Sequence, residues 1–323
     1  MKLGVFTSLF HHLNFTAMLD KVASYGLEAV EIGTGGYPSQ AHCRPDELLR
    51  DKEERRRFKQ ALAERGLFIS ALSCHGNPLH PNPEIAERDH RIFLTTLQLA
   101  SELGVERVCL FSGCPGGGPD DKWPNWVTCA WPPEYAEIRK WQWEEKAIPY
   151  WRKAAEEARK YGPTKLALEM HPGFLVYNPE TLLALREAVG PEIGANFDPS
   201  HLWWQGIDPV AAIRILGAQQ AIFHFHAKDV AIDEHNCRLK GVLDTAPYTD
   251  PAARSWTFRT VGYGHPEAVW RSIVGALRLC GYDYVMSIEH EDPLASVEEG
   301  LAKAVQILRQ VMLTEPPPAI WWS

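Results

Sequence analysis

Four side chains that bind metals well stand at the ends of four successive apolar runs in the second half of the chain. They are Glu169, Asp198, His226 and Glu289. Alternate residues of a strand face the same side, and apolar neighbours occupy the opposite side at each position, so we expect all four side chains to point into one interior. Carboxylates held together repel one another unless a cation compensates them. The pattern therefore predicts one divalent metal ion, with Mn²⁺, Zn²⁺, Co²⁺ and Mg²⁺ as candidates.

Further polar residues share this alternation or lie just beyond a strand end, which makes them candidate substrate contacts. Lys228 follows the alternation past the seventh run and would bind an oxyanion, whereas Arg259 would reach the site from a long loop. The set comprises His75, His171, His201, Lys228 and Arg259. For the four candidate metal ligands, the alternative is that they are ordinary polar strand ends paired with Arg or Lys, but four such groups in register argue against it. For Lys228 the alternative is a solvated lysine.

The elements that must position these groups are eight short apolar runs alternating with helical patterns. The runs cover residues 3–7, 29–32, 68–73, 107–111, 165–170, 193–197, 222–227 and 284–288. Strand–helix units build parallel sheets, and eight of them in 323 residues fit a (β/α)8 TIM barrel of the α/β class. A doubly wound open sheet is the alternative, but no Gly-x-Gly-x-x-Gly turn follows the first run.

The segments between the runs predict helices and two long loops. Helical patterns, most of them ended by a glycine, cover residues 46–65, 84–103, 134–161, 179–189, 209–216 and 266–280. The long connections, 112–133 and 229–265, follow strands four and seven and would lie over the C-terminal face, where long ordered loops are usually functional. No linker or repeat interrupts this rhythm, so we expect one domain, 1–323.

Composition excludes several classes of protein. A chain that is 45% hydrophobic and 23% charged is globular rather than disordered. No apolar stretch is long enough for a membrane helix or a signal peptide, which favours a cytoplasmic protein without membrane contact. The net charge of −8 argues against nucleic acid as a partner, and seven scattered cysteines argue against a disulfide framework. The apolar tail 316–322 is consistent with a homo-oligomer.

The order of these groups resembles the sugar phosphate isomerase/epimerase family of xylose isomerase-like TIM barrels. The matching stretches are 166–173, 196–209, 223–229 and 286–293. The resemblance implies one divalent metal held by Glu169, Asp198, His226 and Glu289. It also implies that the two glutamates act as acid and base, and that His201 contacts the substrate. The long 229–265 segment departs from the small epimerases and resembles longer members, some of which act on 3-keto-glycosides.

Two reactions share the first step that such a site would catalyse, which is proton abstraction next to a carbonyl. An isomerase or epimerase of a small sugar or keto-sugar returns the proton to the enediolate. A lyase or deglycosylase of 3-keto-glycosides expels a leaving group instead. A DNA-repair protein resembling abasic-site endonucleases would need extra metal ligands and a positive surface. A non-enzymatic sugar-binding barrel is disfavoured because the ligand set is intact.

Overall fold

Eight parallel strands close into a barrel in the computed structural model, which describes residues 1–162, 165–316, 318–320 and 322. The barrel strands are β1 (Lys2–Phe6), β2 (Ala29–Gly33), β3 (Phe68–Ser73), β4 (Arg107–Leu110), β5 (Lys165–Glu169), β6 (Ile193–Phe197), β7 (Ile222–Ala227) and β10 (Val285–Ile288). Neighbours follow chain order, and β10 closes the barrel between β7 and β1. The predicted (β/α)8 architecture is therefore confirmed, with each predicted strand within a residue or two of its observed bounds.

Most helices follow the barrel strands and cover the outside of the barrel, whereas the helix Glu234–Lys240 belongs to the insertion after β7. The helices are α1 (Phe15–Ser24), α2 (Pro45–Arg50), α3 (Lys52–Ala63), α4 (Pro83–Leu103), α5 (Glu134–Trp141), α6 (Ile148–Tyr161), α7 (Pro179–Val189), α8 (Pro199–Trp203), α9 (Pro209–Ala218), α10 (Glu234–Lys240), α11 (Glu267–Leu279) and α12 (Val297–Val311). Apolar side chains on the outer face of the strands and the inner face of these helices form one continuous core. Trp151 and Trp270 are its largest fully buried side chains.

Two predicted helices are interrupted for local reasons. The pattern over 46–65 divides into α2 and α3 because Asp51 adopts an extended conformation and its side chain accepts the backbone N–H groups of Glu53 and Glu54. The pattern over 134–161 contains a π-helical turn, Gln142–Ala147, between α5 and α6. The prediction that a glycine ends each helix is correct in most cases. Gly104, for example, ends α4 in the left-handed conformation with φ of 75°.

The two long connections differ in character. Residues 112–133 contain no helix or strand, as predicted for a loop. The long connection predicted at 229–265 is present after β7, but it has structure of its own: an antiparallel hairpin of β8 (Asp229–Ile232) and β9 (Trp256–Arg259), with α10 between the strands. Trp204, directly after α8, stacks on Trp256 with 4.6 Å between the ring centroids, and this contact fixes the hairpin against the barrel. The segment is therefore a wall at the C-terminal mouth.

The C-terminal tail 316–322 follows α12 and is exposed where the structure describes it. Ile320 and Trp322 are exposed, while Pro317 and Trp321 of the predicted subunit contact lie outside the described residues. Among the helices of the described ranges, none combines the length and apolar character needed to span a bilayer.

Candidate metal centre

The four predicted metal ligands converge at the C-terminal mouth of the barrel. Each offers one ligand atom, and these atoms all lie within 4.8 Å of one another. Glu169 ends β5, Asp198 follows β6, His226 lies near the end of β7, and Glu289 follows β10. His226 Nδ1 lies 3.0 Å from Glu289 Oε2 and 3.6 Å from Glu169 Oε2. Three carboxylates thus surround one imidazole nitrogen, an arrangement that can hold a divalent ion with positions left for a substrate.

Asp198 is oriented by the helix that follows it. Its Oδ1 accepts the backbone N–H of Ser200 at 2.8 Å and so caps α8, which turns Oδ2 towards the other ligands. Oδ2 is buried and has no hydrogen-bond partner within the described part of the chain. Burial, with the charges of Glu169 and Glu289, raises the pKa of Asp198 to about 6. Its nearest positively charged or imidazole group is His201 Nε2, at 3.4 Å. A buried acceptor without a hydrogen bond beside two other carboxylates fits a metal ligand and supports a cation here.

Glu169 is held by two histidines predicted as substrate contacts. Its Oε1 accepts a hydrogen bond from His201 Nε2 at 3.1 Å, and its Oε2 accepts one from His75 Nε2 at 3.1 Å. Burial raises the pKa of Glu169, but these hydrogen bonds and the charge of His226 outweigh burial and hold the pKa well below its usual range. Glu169 is therefore ionised, and its orientation is fixed from both sides.

Lys228 lies among carboxylates rather than facing open space. Its Nζ is 3.1 Å from Glu289 Oε2, 2.5 Å from Glu291 Oε2 and 3.9 Å from Asp198 Oδ2. The ammonium also lies 4.0 Å from the ring centroid of Phe258 on β9. Burial lowers the pKa of Lys228, but the neighbouring acids raise it well above its usual value. Burial likewise raises the pKa of Glu289, while Lys228 and His226 bring it below its usual range. Both groups are charged.

His171 is half-buried beside His201, with 4.1 Å between the ring centroids. Its Nδ1 lies 2.6 Å from the carbonyl oxygen of Pro172. A carbonyl only accepts, so Nδ1 carries the proton and Nε2 is left as an acceptor. Burial and the charge of His201 lower the pKa of His171 to about 3, so this imidazole stays neutral. It can accept a hydrogen bond from a substrate hydroxyl.

A cavity of about 200 Å³ opens beside these groups. Its lining includes every predicted substrate contact except Arg259, as well as aromatic rings; the residues are Phe6, Tyr37, His75, Phe111, Glu169, His171, His201, Lys228, Glu289 and Glu291, with Ser8 and Pro38. Gly36 lets the loop after β2 reach the cavity, because a side chain there, at φ of 79°, would collide with the backbone oxygen of His75. A larger cavity of about 1090 Å³ at the N-terminal ends of the strands, beside Arg107 and Tyr284, contains none of the predicted site residues.

The expectation that Arg259 reaches the site does not agree with the structure. Its Nε donates to Asp292 Oδ2 at 3.2 Å, and its guanidinium lies 5.9 Å from the ring centroid of Tyr263. The pairing of β8 with β9 determines this direction, and that pairing was not predicted. Phe258, the preceding residue, is the one that reaches the site, where it contacts Lys228 and lies 5.5 Å from the ring centroid of His201.

Sequence analysis missed one fully buried acid, Glu31 on β2. Its carboxylate lies 2.9 Å from His226 Nε2 and accepts hydrogen bonds from Ser73 and Ser287. Burial raises the pKa of Glu31, but the charges of His226 and His224 and these hydrogen bonds bring it to about 2. The available signal was a single charge inside an otherwise apolar strand, where an unpaired acid would be costly.

Comparisons with known proteins agree with this architecture. A family model described as "Xylose isomerase-like TIM barrel" matches residues 19–311. The "Uncharacterized protein YfiH" of Bacillus subtilis (strain 168) is 44% identical over 314 residues, which cover 97% of this chain and 99% of that protein.

Solved structures with the same fold are more distant in sequence. The IOLI protein with a binding zinc atom superposes with a TM-score of 0.66 at 17% identity, over 96% of each chain. A D-tagatose 3-epimerase-like protein superposes with a TM-score of 0.64 at 20% identity, over 96% of this chain and 97% of that one. At such identities the likeness shows the fold alone. The family model spans most of the sequence and carries the assignment, so this chain belongs to the xylose isomerase-like TIM barrel family.

Proposed function

We propose that this protein is a divalent-metal-dependent sugar isomerase or epimerase that removes a proton from the carbon next to a carbonyl. The observation that carries the proposal is the group of Glu169, Asp198, His226 and Glu289, whose ligand atoms lie within 4.8 Å of one another at the edge of the cavity. Two structures with the same fold support the proposal: the IOLI protein, described with a binding zinc atom, and the D-tagatose 3-epimerase-like protein.

The metal and the two glutamates have complementary tasks. Glu169, Asp198, His226 and Glu289 would hold a divalent ion, which would supply the positive charge that stabilises an oxyanion next to the departing proton. Glu169 and Glu289 are ionised, so each is in the base form that proton removal requires. They come from β5 and β10, which are separated in the barrel by β6 and β7, and therefore approach the cavity from different sides. One carboxylate removes the proton. The other, after taking up a proton from solvent, delivers it to the opposite face of the same carbon and so inverts that carbon, whereas delivery to the neighbouring carbon isomerises the sugar.

The remaining polar groups hold a polyhydroxylated ligand. His75 and His201 fix the Glu169 carboxylate, and the free Nε2 of His171 accepts a hydroxyl hydrogen bond. The Lys228 ammonium reduces the negative charge around Glu289 and is shared among acids, so it is a weak anchor for a phosphate. No arginine lines the cavity within the described ranges, which favours an unphosphorylated sugar or keto-sugar.

Elimination from a 3-keto-glycoside is the second candidate, because it begins with the same proton abstraction. Tyr37 favours it: this ring lines the cavity yet is 68% exposed, and it lies 6.0 Å from the ring centroid of Phe111. It therefore offers an aromatic surface beyond the cavity mouth, where a leaving group attached to the sugar would lie.

The test is deuterium exchange. The full chain, loaded with Mn²⁺, is incubated in D₂O with ketoses, aldoses and 3-keto-glycosides, and protons next to the carbonyl are followed by NMR. We expect exchange with at least one sugar, its loss in Glu169→Gln and Glu289→Gln, and its retention in Glu106→Gln, a control at the opposite end of the barrel. A released leaving group identifies the lyase. A metal-loaded protein that binds a sugar without any exchange would be a binding module, and the proposal would fail.

A further inference from the structure

The two ring nitrogens of His226 face different carboxylates. Nδ1 faces the metal centre, 3.0 Å from Glu289 Oε2. Nε2 lies on the opposite edge of the ring, 2.9 Å from Glu31 Oε2 and 3.1 Å from Glu31 Oε1. Both residues are fully buried, so water does not compete for either nitrogen. A carboxylate only accepts, so each of these contacts places a proton on the ring nitrogen. An ion that displaced the Nδ1 proton from between His226 and Glu289 would find the lone pair on that nitrogen, because Glu31 keeps the other proton on Nε2.

Glu31 is itself held by hydrogen bonds from two other strands. Ser73 at the end of β3 donates to Oε1 at 2.5 Å, and Ser287 on β10 donates to Oε2 at 2.9 Å. Ser287 is the register partner of His226 across the β10–β7 ladder. The carboxylate is therefore locked in the orientation that faces Nε2, and turning away would leave buried hydroxyl and N–H donors without partners.

Glu31 also belongs to a second group of metal-binding residue types, which must be weighed as a separate ion site. Glu31, Cys109 and His224 have ligand atoms within 4.8 Å of one another. His224 Nδ1, however, lies 3.0 Å from Asn196 Oδ1, and its Nε2 lies 3.3 Å from Ser70 Oγ. Neither nitrogen is left for an ion. Burial also raises the pKa of Cys109 well above its usual value, which keeps it a thiol.

We propose that Glu31 is a positioning residue: it fixes His226 with the proton on Nε2 and the lone pair on Nδ1, and so sets which nitrogen binds the metal. The inference rests on the proposed metal centre and deepens it. Three strands, β2, β3 and β10, thereby act on a ligand carried by a fourth, β7. Carboxylates that accept the N–H of a metal-binding histidine raise the affinity for the metal about 10- to 100-fold.

The experiment measures metal binding rather than turnover. Metal-stripped full-length protein is titrated with Zn²⁺ by calorimetry in the wild type, in Glu31→Gln and in Cys109→Ser, a control in the same buried layer. We expect one ion per chain in all three, with wild-type affinity in Cys109→Ser and a dissociation constant about 10- to 100-fold higher in Glu31→Gln. In ¹⁵N-histidine spectra of the zinc-loaded wild type, the Nε2 proton of His226 is expected downfield, and Glu31→Gln should move it upfield.

Each alternative has its own result. Two ions in the wild type and one in both variants would overturn the proposal in favour of a second ion at Glu31, Cys109 and His224. Equal affinity in the wild type and Glu31→Gln would overturn it outright. If Glu31→Gln does not fold, Glu31→Asp keeps the buried charge but withdraws it from Nε2, and the same loss of affinity is expected. Failure of the proposed function would appear differently, as a wild type that binds zinc with the expected Glu31 dependence but exchanges no proton.

Discussion

Asp198→Asn should have opposite effects on the metal-free and metal-loaded protein. Without metal, the ionised Asp198 is buried close to Glu169 and Glu289, and its Oδ2 has no hydrogen-bond partner among the described residues. Asparagine keeps the shape and the Oδ1 cap on Ser200 while removing the charge. The variant should therefore stabilise the metal-free protein and abolish its stabilisation by metal.

The magnitude follows from the pKa of Asp198. That pKa rises from 3.8 to about 6 on folding. An acid whose pKa is higher in the folded than in the unfolded state contributes stability below its unfolded pKa. This contribution is lost as the pH rises through the folded pKa. The loss is about 3 kcal/mol at pH 8, at about 1.4 kcal/mol per pKa unit. For a chain of this length, that corresponds to about 4 °C in Tm. The variant should gain this amount at pH 8 and nothing at pH 4.

The assay is thermal unfolding of chelator-treated protein between pH 4 and pH 8, repeated with Zn²⁺. Asp229→Asn is the matched control, because Asp229 is equally buried but accepts N–H groups from Gly262, Gly264 and His265. It should destabilise the protein with and without metal and leave the metal response intact. The reasoning is refuted if metal-free Asp198→Asn is less stable than the wild type at pH 8, or if it retains wild-type metal affinity.

Three further outcomes follow from the same site. Metal affinity, measured by calorimetry, should fall more steeply with pH below pH 6 than above it, because the ion must then displace a proton from Asp198 in addition to the one that the neighbouring carboxylates hold on His226; an unchanged slope across pH 6 would contradict this. Lys228→Met should destabilise the metal-free protein by about 3 kcal/mol in urea unfolding, because it leaves Glu289 without its ammonium partner; an unchanged midpoint would show that the pair contributes nothing. Gly36→Ala should lower sugar affinity and stability, by about 1–3 kcal/mol for the backbone strain alone, since its β-carbon would meet the His75 backbone oxygen; wild-type binding in an equilibrium titration would disprove the close approach.

Local periodicity was sufficient to predict which four side chains converge at the mouth of the barrel. Each of Glu169, Asp198, His226 and Glu289 comes at the end of a run whose alternation fixes which side faces inward, and parallel strands bring those ends together. The barrel follows from the same rhythm. No long-range knowledge is needed for either, because the fold repeats one local unit eight times.

Long-range pairing explains what the sequence did not reveal. The role of Glu31 depends on its contact with His226, which is 195 residues away in the chain. A single acid in an apolar strand forms no motif that would predict this contact. Arg259 was expected at the site, but the register of β9 against β8 presents Phe258 instead. The break at Asp51 was visible in principle, since an aspartate that caps the next helix competes with continuation of the previous one.

The insertion between β7 and β10 is joined at its base. Asp229 at its start holds His265 at its end, with 2.8 Å between Oδ1 and Nδ1, and also accepts the backbone N–H of that residue. A segment whose ends are already fastened can change length at little entropic cost, about 0.6 kcal/mol for each doubling. The hairpin is therefore a replaceable module: exchanging its tip for that of another member should leave the barrel and the four converging side chains beneath it unchanged.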